Sequence, residues 1–172
     1  MIAAFDVHYP REGPASAAAV LFTDYDDPKP EAIYSTLLPA AADYVPGRFY
    51  KRELPCILSL IQQMSRLPAE MIVDGYVMLG DKPGLGQHLF ETFQGTIPVI
   101  GVAKSRFKGS SGMEVFRGRS RRPLCITSAG LQPQAACSRI RIMHGAYRIP
   151  TLLKRVDALA RQNAQGRSID AA

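Results

Sequence analysis

The chain has 172 residues, 47% hydrophobic and 21% charged, which is enough for one globular domain with a full core and excludes disordered and collagen-like chains. Lys and Arg outnumber Asp and Glu by 21 to 15, and the net charge of +6 favours a polyanionic partner. No apolar run reaches the roughly 18 residues of a membrane span, and the opening MIAAFDVHYP lacks the layout of a signal peptide. A cytoplasmic location without a membrane partner is therefore expected, and no obligate protein partner is implied.

The run Ile2 to Tyr9 predicts a strand, closed by the turn at residues 10–14. Apolar runs at 17–25 and 32–40, separated by the Asp-Asp-Pro-Lys-Pro loop at 26–30, predict two more strands in an antiparallel meander. Between Arg48 and Arg66 the apolar residues Phe49, Leu54, Ile57, Leu58, Ile61 and Met64 have helical spacing. Pro55 either kinks that helix or sits in its first turn. Met71 to Asp74 and Ile97 to Val102 then read as buried parallel strands around a helix over Leu85 to Phe93. The Gly-, Ser- and Arg-rich segment from Lys108 to Arg122 is followed by Leu124 to Thr127. Met113 to Phe116 and Leu124 to Thr127 are possible hairpin arms.

Two closing helices are expected over Gln132 to Met143 and Thr151 to Gln162. Residues 1–164 are expected to form a single domain, with 165–172 a frayed tail. The implied fold class is α/β: a mixed sheet of three antiparallel strands then parallel ones, flanked by helices, the ribonuclease H-like arrangement. Cys56, Cys125 and Cys137 lack a C-x-x-C spacing and read as reduced, mostly buried thiols.

Asp6 interrupts an apolar strand, where an ionised carboxylate is costly unless compensated. Asp74 ends a buried parallel strand, the edge at which open α/β sheets present ligand sites. Glu53 near the start of the first helix is a third carboxylate that this topology brings toward them. Converging carboxylates suit Mg²⁺, with Mn²⁺ as a substitute. Each taken singly also reads as a turn former, cap or solvated charge.

Lys104, at the end of the second parallel strand, points to the same sheet edge, where it would contact a phosphate or offset developing charge. Arg106, Lys108, Arg117, Arg119, Arg121 and Arg122 form a basic segment suited to phosphate backbone, or simply a solvated surface. Tyr44-Val45-Pro46-Gly47 is a rigid turn that presents an aromatic ring for stacking or packs over the helix start. His88 and His144 have no metal-binding spacing and read as structural.

Several linked segments together resemble the endonuclease V family: Phe5-Asp6-Val7, Tyr44 to Gly47 through Arg52-Glu53-Leu54-Pro55, Val73-Asp74-Gly75, Gly84 to Leu89, Ile100 to Ser105, and Tyr147-Arg148-Ile149-Pro150. The resemblance runs from about residue 2 to about residue 160. It implies Mg²⁺-dependent hydrolysis of a phosphodiester near a deaminated base in DNA repair, with Asp6, Glu53 and Asp74 on the metal and Lys104 catalytic. It further implies nucleic-acid contacts from Tyr44, Pro46, Gly47, Gly75, Lys104, Ser105, Arg119, Arg121 and Arg122, with Tyr44 filling the space left by a base turned out of its stack. DNA is the expected partner and RNA the alternative.

The chain departs from the family pattern at Tyr76 and Leu131, where histidines are expected, and at Asp81-Lys82-Pro83, where His-Pro-Arg is expected. Leucine neither binds metal nor moves a proton. Those departures keep two other readings open: a silent nucleic-acid-binding module, and a nuclease with another damaged or structured substrate. His8, on the same strand face as Asp6, is the candidate replacement for the histidine absent at Leu131.

Overall fold

The computed structural model describes residues 1–39, 50–107 and 109–165. Its main sheet is built from β1 (Ile2–His8), β2 (Ala15–Phe22), β3 (Ala32–Leu38), β4 (Glu70–Asp74), β7 (Val99–Ala103), β8 (Met113–Val115) and β9 (Leu124–Ala129), in spatial order β3-β2-β1-β4-β7-β9-β8. A short second hairpin pairs β5 (Met78–Leu79) with β6 (Lys82–Pro83). The helices are α1 (Tyr50–Ile61), α2 (Leu85–Thr92), α3 (Pro133–Ile142) and α4 (Thr151–Ala164).

The antiparallel meander of β1, β2 and β3 forms as expected, and β1 and β7 flank β4 in parallel. The expected hairpin arms also pair, but β9 additionally joins the main sheet antiparallel to β7. β2 is buried along its whole length because helices cover both faces of the sheet. On one face Ala3, Phe5, Met71, Val73 and Val99 meet Cys56, Ile57 and Leu60 of α1 and Leu89 of α2. On the other, Ile2, Ala4, Ile72, Ile100 and Val102 meet Ala136 and Ile140 of α3 and Leu152, Val156 and Leu159 of α4. The period-two alternation of the strands thus splits one sheet into two cores.

Pro55 lies inside α1, beyond its first described turn, so the first-turn placement is not adopted. The turn at residues 44–47 and Lys108 lie outside the described residues, as does the tail from residue 166 onward. All three cysteines are free and buried.

Arg117 corrects the reading of the basic segment. It is buried, and its guanidinium donates to the carbonyls of Met143, Gly145 at 3.1 Å and Tyr147 at 3.0 Å, all in the turn between α3 and α4. A rigid fork of donors fits this cluster of acceptors, whereas a phosphate would have to unmake it. Gly118, at φ +59°, passes so close to Ala146 that any Cβ would collide with its carbonyl oxygen. Arg117→Met is expected to leave several buried carbonyls unpaired and to destabilise the fold by about 2–3 kcal/mol. Urea unfolding should show a lower midpoint with an unchanged slope, and Arg117→Lys should recover little of the loss.

Candidate metal and nucleic-acid site

Parallel pairing of β1 with β4 puts Phe5 opposite Val73, so the next residues of the two strands, Asp6 and Asp74, stand side by side at the strand ends. Both continue the alternation that faces α4, as does Lys104 two residues beyond Val102. From α4 comes Asp157, one residue after the buried Val156. One carboxylate oxygen from each of Asp6, Asp74 and Asp157 lies within 4.8 Å of the other two. Lys104 Nζ sits 2.8 Å from Asp74 Oδ2 and 3.5 Å from Asp157 Oδ1. Arg161 grips Asp157 one helical turn on, Nε to Oδ2 at 3.1 Å and Nη2 to Oδ1 at 3.3 Å.

Glu53 reaches the same strand ends from the opposite face of the sheet. It stands outside the aspartate trio yet shares a pocket with Asp6 and Asp74, together with Phe5, Ile57 and Leu85. Burial, reinforced by the charges of Asp6 and Asp74, pushes the Glu53 carboxyl up to about 8, against the pull of Arg52. Burial also raises Asp6 to about 6, with Asp74 and Asp157 adding to the shift and Lys104 opposing it. Burial disfavours ionised Asp157, but the Arg161 hydrogen bond and Lys104 outweigh it, and its carboxyl stays below the usual range. Likewise burial opposes the Lys104 ammonium, while Asp74, Asp157 and Asp6 together hold its pKa above the ordinary value. Four carboxyl groups meet the cations Lys104, Arg161 and Arg52 here, and the raised Asp6 and Glu53 hold protons more tightly in place of a further cation. That donor set, all hard oxygens, fits a divalent cation such as Mg²⁺ or Mn²⁺.

Asp157 was missed by sequence reasoning. A lone aspartate in Arg-Val-Asp-Ala-Leu, followed by an arginine four residues later, reads as a solvated helix face. The one available signal was its position beside the buried Val156 and Leu159 in a helix that closes over β1.

The departures take on a different meaning in three dimensions. Leu131 follows Ala129, which pairs with Val99 at the N-terminal end of β7, whereas the aspartates lie at its C-terminal end. It packs on the core, at the far edge of the sheet from the cluster. His8 lies outside the aspartate trio, so it does not stand in for the absent histidine there. Tyr76 is buried; its hydroxyl donates to the Ser105 carbonyl at 2.6 Å and accepts from the Phe107 amide at 2.8 Å. Arg148 reaches the Lys104 carbonyl and donates to that of Pro123 at 2.7 Å. The segment carrying Lys104 and Ser105 is therefore held from two sides.

Gly75, at φ +119°, turns the chain sharply after Asp74, a backbone geometry open to glycine. The segment 75–77 then crosses β7 at Gly101, where a Cβ would come within 2.8 Å of the Gly75 carbonyl, Val77 amide and Thr127 hydroxyl. The result is a pocket of about 260 Å³ lined by Tyr50, Glu53, Asp74, Gly75, Tyr76, Leu79, Pro83, Gly84 and Leu85. His88 stacks on Tyr50 at 3.7 Å between ring centroids, and His144 Nδ1 meets Thr151 Oγ1 at 2.9 Å, both structural contacts. Arg119 lines a separate hollow with Tyr147 and Lys154, while Arg121 and Arg122 are exposed.

The family model for Endonuclease V matches residues 1–158. An Endonuclease V of Xylella fastidiosa (strain 9a5c) is 34% identical over 110 residues, covering 63% of this chain and 45% of the relative. One from Xanthomonas axonopodis pv. citri is 33% identical over 111 residues, covering 64% and 46%. The match thus spans about half the length of these curated relatives. Among solved structures, the Endonuclease V of Streptomyces avermitilis has a TM-score of 0.77 at 24% identity, covering 96% of this chain and 81% of that one. The catalytic domain of human Endonuclease V gives 0.78 at 22%, covering 97% and 84%. A Ciona intestinalis Endonuclease V in complex with a 23mer DNA containing an inosine gives 0.79 at 16%, covering 96% and 85%. The fold is ribonuclease H-like, a mixed sheet flanked by helices. The chain belongs to the Endonuclease V family.

The raised carboxyls fix a pH dependence. In the metal-free protein, Asp6 and Glu53 keep protons that the unfolded chain would release near its ordinary values of 3.8 and 4.5. Their contribution to stability is full below those values and is lost as pH rises through about 6 and then about 8. A divalent cation competes with the same protons, so Mn²⁺ affinity should climb about five-fold between pH 7 and 8 as Glu53 deprotonates, and level off above that. Calorimetric titration at successive pH values reads this directly. A flat affinity across that interval would remove Glu53 from the ligand set.

Proposed function

We propose that this chain is a metal-dependent phosphodiester hydrolase acting on inosine-containing nucleic acid, with a role in DNA repair. The observation that carries the reading is the meeting of Asp6, Asp74 and Asp157 with Lys104 at the ends of the parallel strands, with Glu53 over the same edge. Asp6, Glu53, Asp74 and Asp157 would hold Mg²⁺, with Mn²⁺ able to replace it. Bound there, the ion supplies Lewis-acid polarisation of the phosphoryl oxygen and a more acidic water. The Ciona relative's complex with an inosine-bearing DNA supports the substrate class.

The chain's own groups divide the remaining work. Lys104, held in place by Asp74 and by the clamps on its backbone, supplies positive charge to the phosphate and to the departing oxygen. The pocket bounded by Gly75, Tyr76 and Gly84 adjoins Asp74 and Glu53, so a base turned out of the strand enters it while its phosphate lies at the carboxylates. Backbone at Gly75, which has open space where a side chain would stand, lets the base edge approach closely. The location of Leu131 far from the cluster favours catalysis over the silent binding module.

End-labelled strands containing one inosine, incubated with Mg²⁺, Mn²⁺ or EDTA beside undamaged controls, test this reading. A metal-dependent cut near the inosine is expected. Asp74→Ala should lower the rate by about a thousand-fold or more while strand affinity holds or improves, because a negative charge is removed. Asp157→Ala should have a comparable effect on rate. An Asp74→Ala protein that cuts as fast as its parent would refute the site.

A further inference from the structure

The turn between α3 and α4 displays Tyr147 with 78% of its surface exposed, the most open of the exposed large apolar side chains among the described residues. An exposed ring on a loose loop would carry no meaning. This turn, however, is fixed: the Tyr147 carbonyl accepts from the buried Arg117, and the neighbouring Arg148 is tied to the carbonyls of Lys104 and Pro123. The backbone that carries the ring is therefore tied down, while most of the ring lies in solvent.

Around it is a hollow of about 490 Å³ lined by Arg119, Ser120, Tyr147, Arg148, Ile149 and Lys154. No carboxylate lines it. Arg148 is committed to backbone carbonyls, but Arg119 and Lys154 have no hydrogen-bond or ion-pair partner among the described residues. Ile149 also lines the pocket containing Asp6, Asp74 and Asp157, so the basic hollow and the carboxylate cluster share a wall. Two free cations beside an open aromatic face match the two parts of a nucleotide, a phosphate and a base. A base paired inside a duplex offers no free face to such a ring.

We propose that Tyr147, Arg119 and Lys154 form a stacking subsite for an unpaired nucleotide of the bound strand, the base on the Tyr147 ring and the phosphate on the two cations. The subsite rests on the nuclease reading only for the identity of the strand. Its position gives the strand a cationic hold next to an acidic centre that repels phosphate until a metal is present.

The test uses a fluorescein-labelled single-stranded 15-mer DNA containing one inosine, in EDTA so that cleavage does not intervene, with binding read by anisotropy. Tyr147→Ala should weaken binding about ten-fold, and Tyr147→Phe should stay within about two-fold of the parent, because stacking needs the ring and not the hydroxyl. The pair Arg119→Ala with Lys154→Ala should flatten the salt dependence of log K by about 0.7, one neutralised phosphate's worth on a single strand. 2-Aminopurine moved stepwise along the strand should be quenched at one position by the parent and not by Tyr147→Ala. Equal melting temperatures by circular dichroism separate these effects from misfolding. Unchanged affinity in Tyr147→Ala, or a Tyr147→Phe protein as weak as the alanine variant, would overturn the subsite even if the parent cuts inosine strands. Conversely, a parent that binds through Tyr147 but never cuts in Mg²⁺ or Mn²⁺ would overturn the nuclease reading and leave the subsite standing.

Discussion

Parallel pairing of β1 with β4 forces two carboxylates, Asp6 and Asp74, to end adjacent strands side by side, and the surrounding structure answers that repulsion. Unit charges about 4 Å apart repel by on the order of 4 kcal/mol at the effective dielectric of a protein surface. A third carboxylate, Asp157, arrives on α4, and Glu53 on α1 adds a fourth. Lys104 and Arg161 neutralise part of this charge, and protonation of Asp6 and Glu53 absorbs more in the absence of an ion. A fold stabilised by packing alone would gain from replacing Asp6 or Glu53, whose ionised forms burial and the neighbouring carboxylates disfavour, with an apolar residue. The cost is intelligible as that of a site kept ready for a divalent cation.

The strands and helices followed from periodicity because each sheet face has its own core, and alternation along β1, β4 and β7 reports both. Asp6, Asp74 and Lys104 were visible for the same reason: each stands where an apolar strand meets a ligand-binding edge. Asp157 was not, since one aspartate on an amphipathic helix carries no local mark, and only the packing of α4 across β1 decides what it faces. Arg117 was misread in the opposite direction. A basic residue within a run of arginines looks solvated, and its burial depends on carbonyls of a turn some thirty residues away.

Motif comparison treats each departure as a loss at the site, whereas geometry assigns each its own place. Leu131 follows an antiparallel strand and therefore ends at the opposite edge of the sheet from Asp74. Tyr76 lies close to the site, but its hydroxyl binds backbone on the segment after Lys104. A phenol there fixes the path of that segment, and its burial raises its pKa, so it remains neutral and keeps its proton for the Ser105 carbonyl. Substitution at this position thus acts on the placement of Lys104 and on the shape of the pocket beside Gly75, and leaves the carboxylates untouched.

Net positive charge is a poor guide to nucleic-acid contact when the cations are counted without regard to their partners. Arg117 and Arg148 are engaged with backbone carbonyls and set the geometry of the turn before α4. Arg161 is spent on Asp157, and Arg139 on Glu70 at the other end of the sheet. A guanidinium engaged with several carbonyls gains nothing by exchanging them for one phosphate, because the carbonyls would then be left buried and unpaired. On the proposed reading, affinity for a strand draws on the cations left over, and near the carboxylates those include Arg119 and Lys154, which line one hollow with Tyr147.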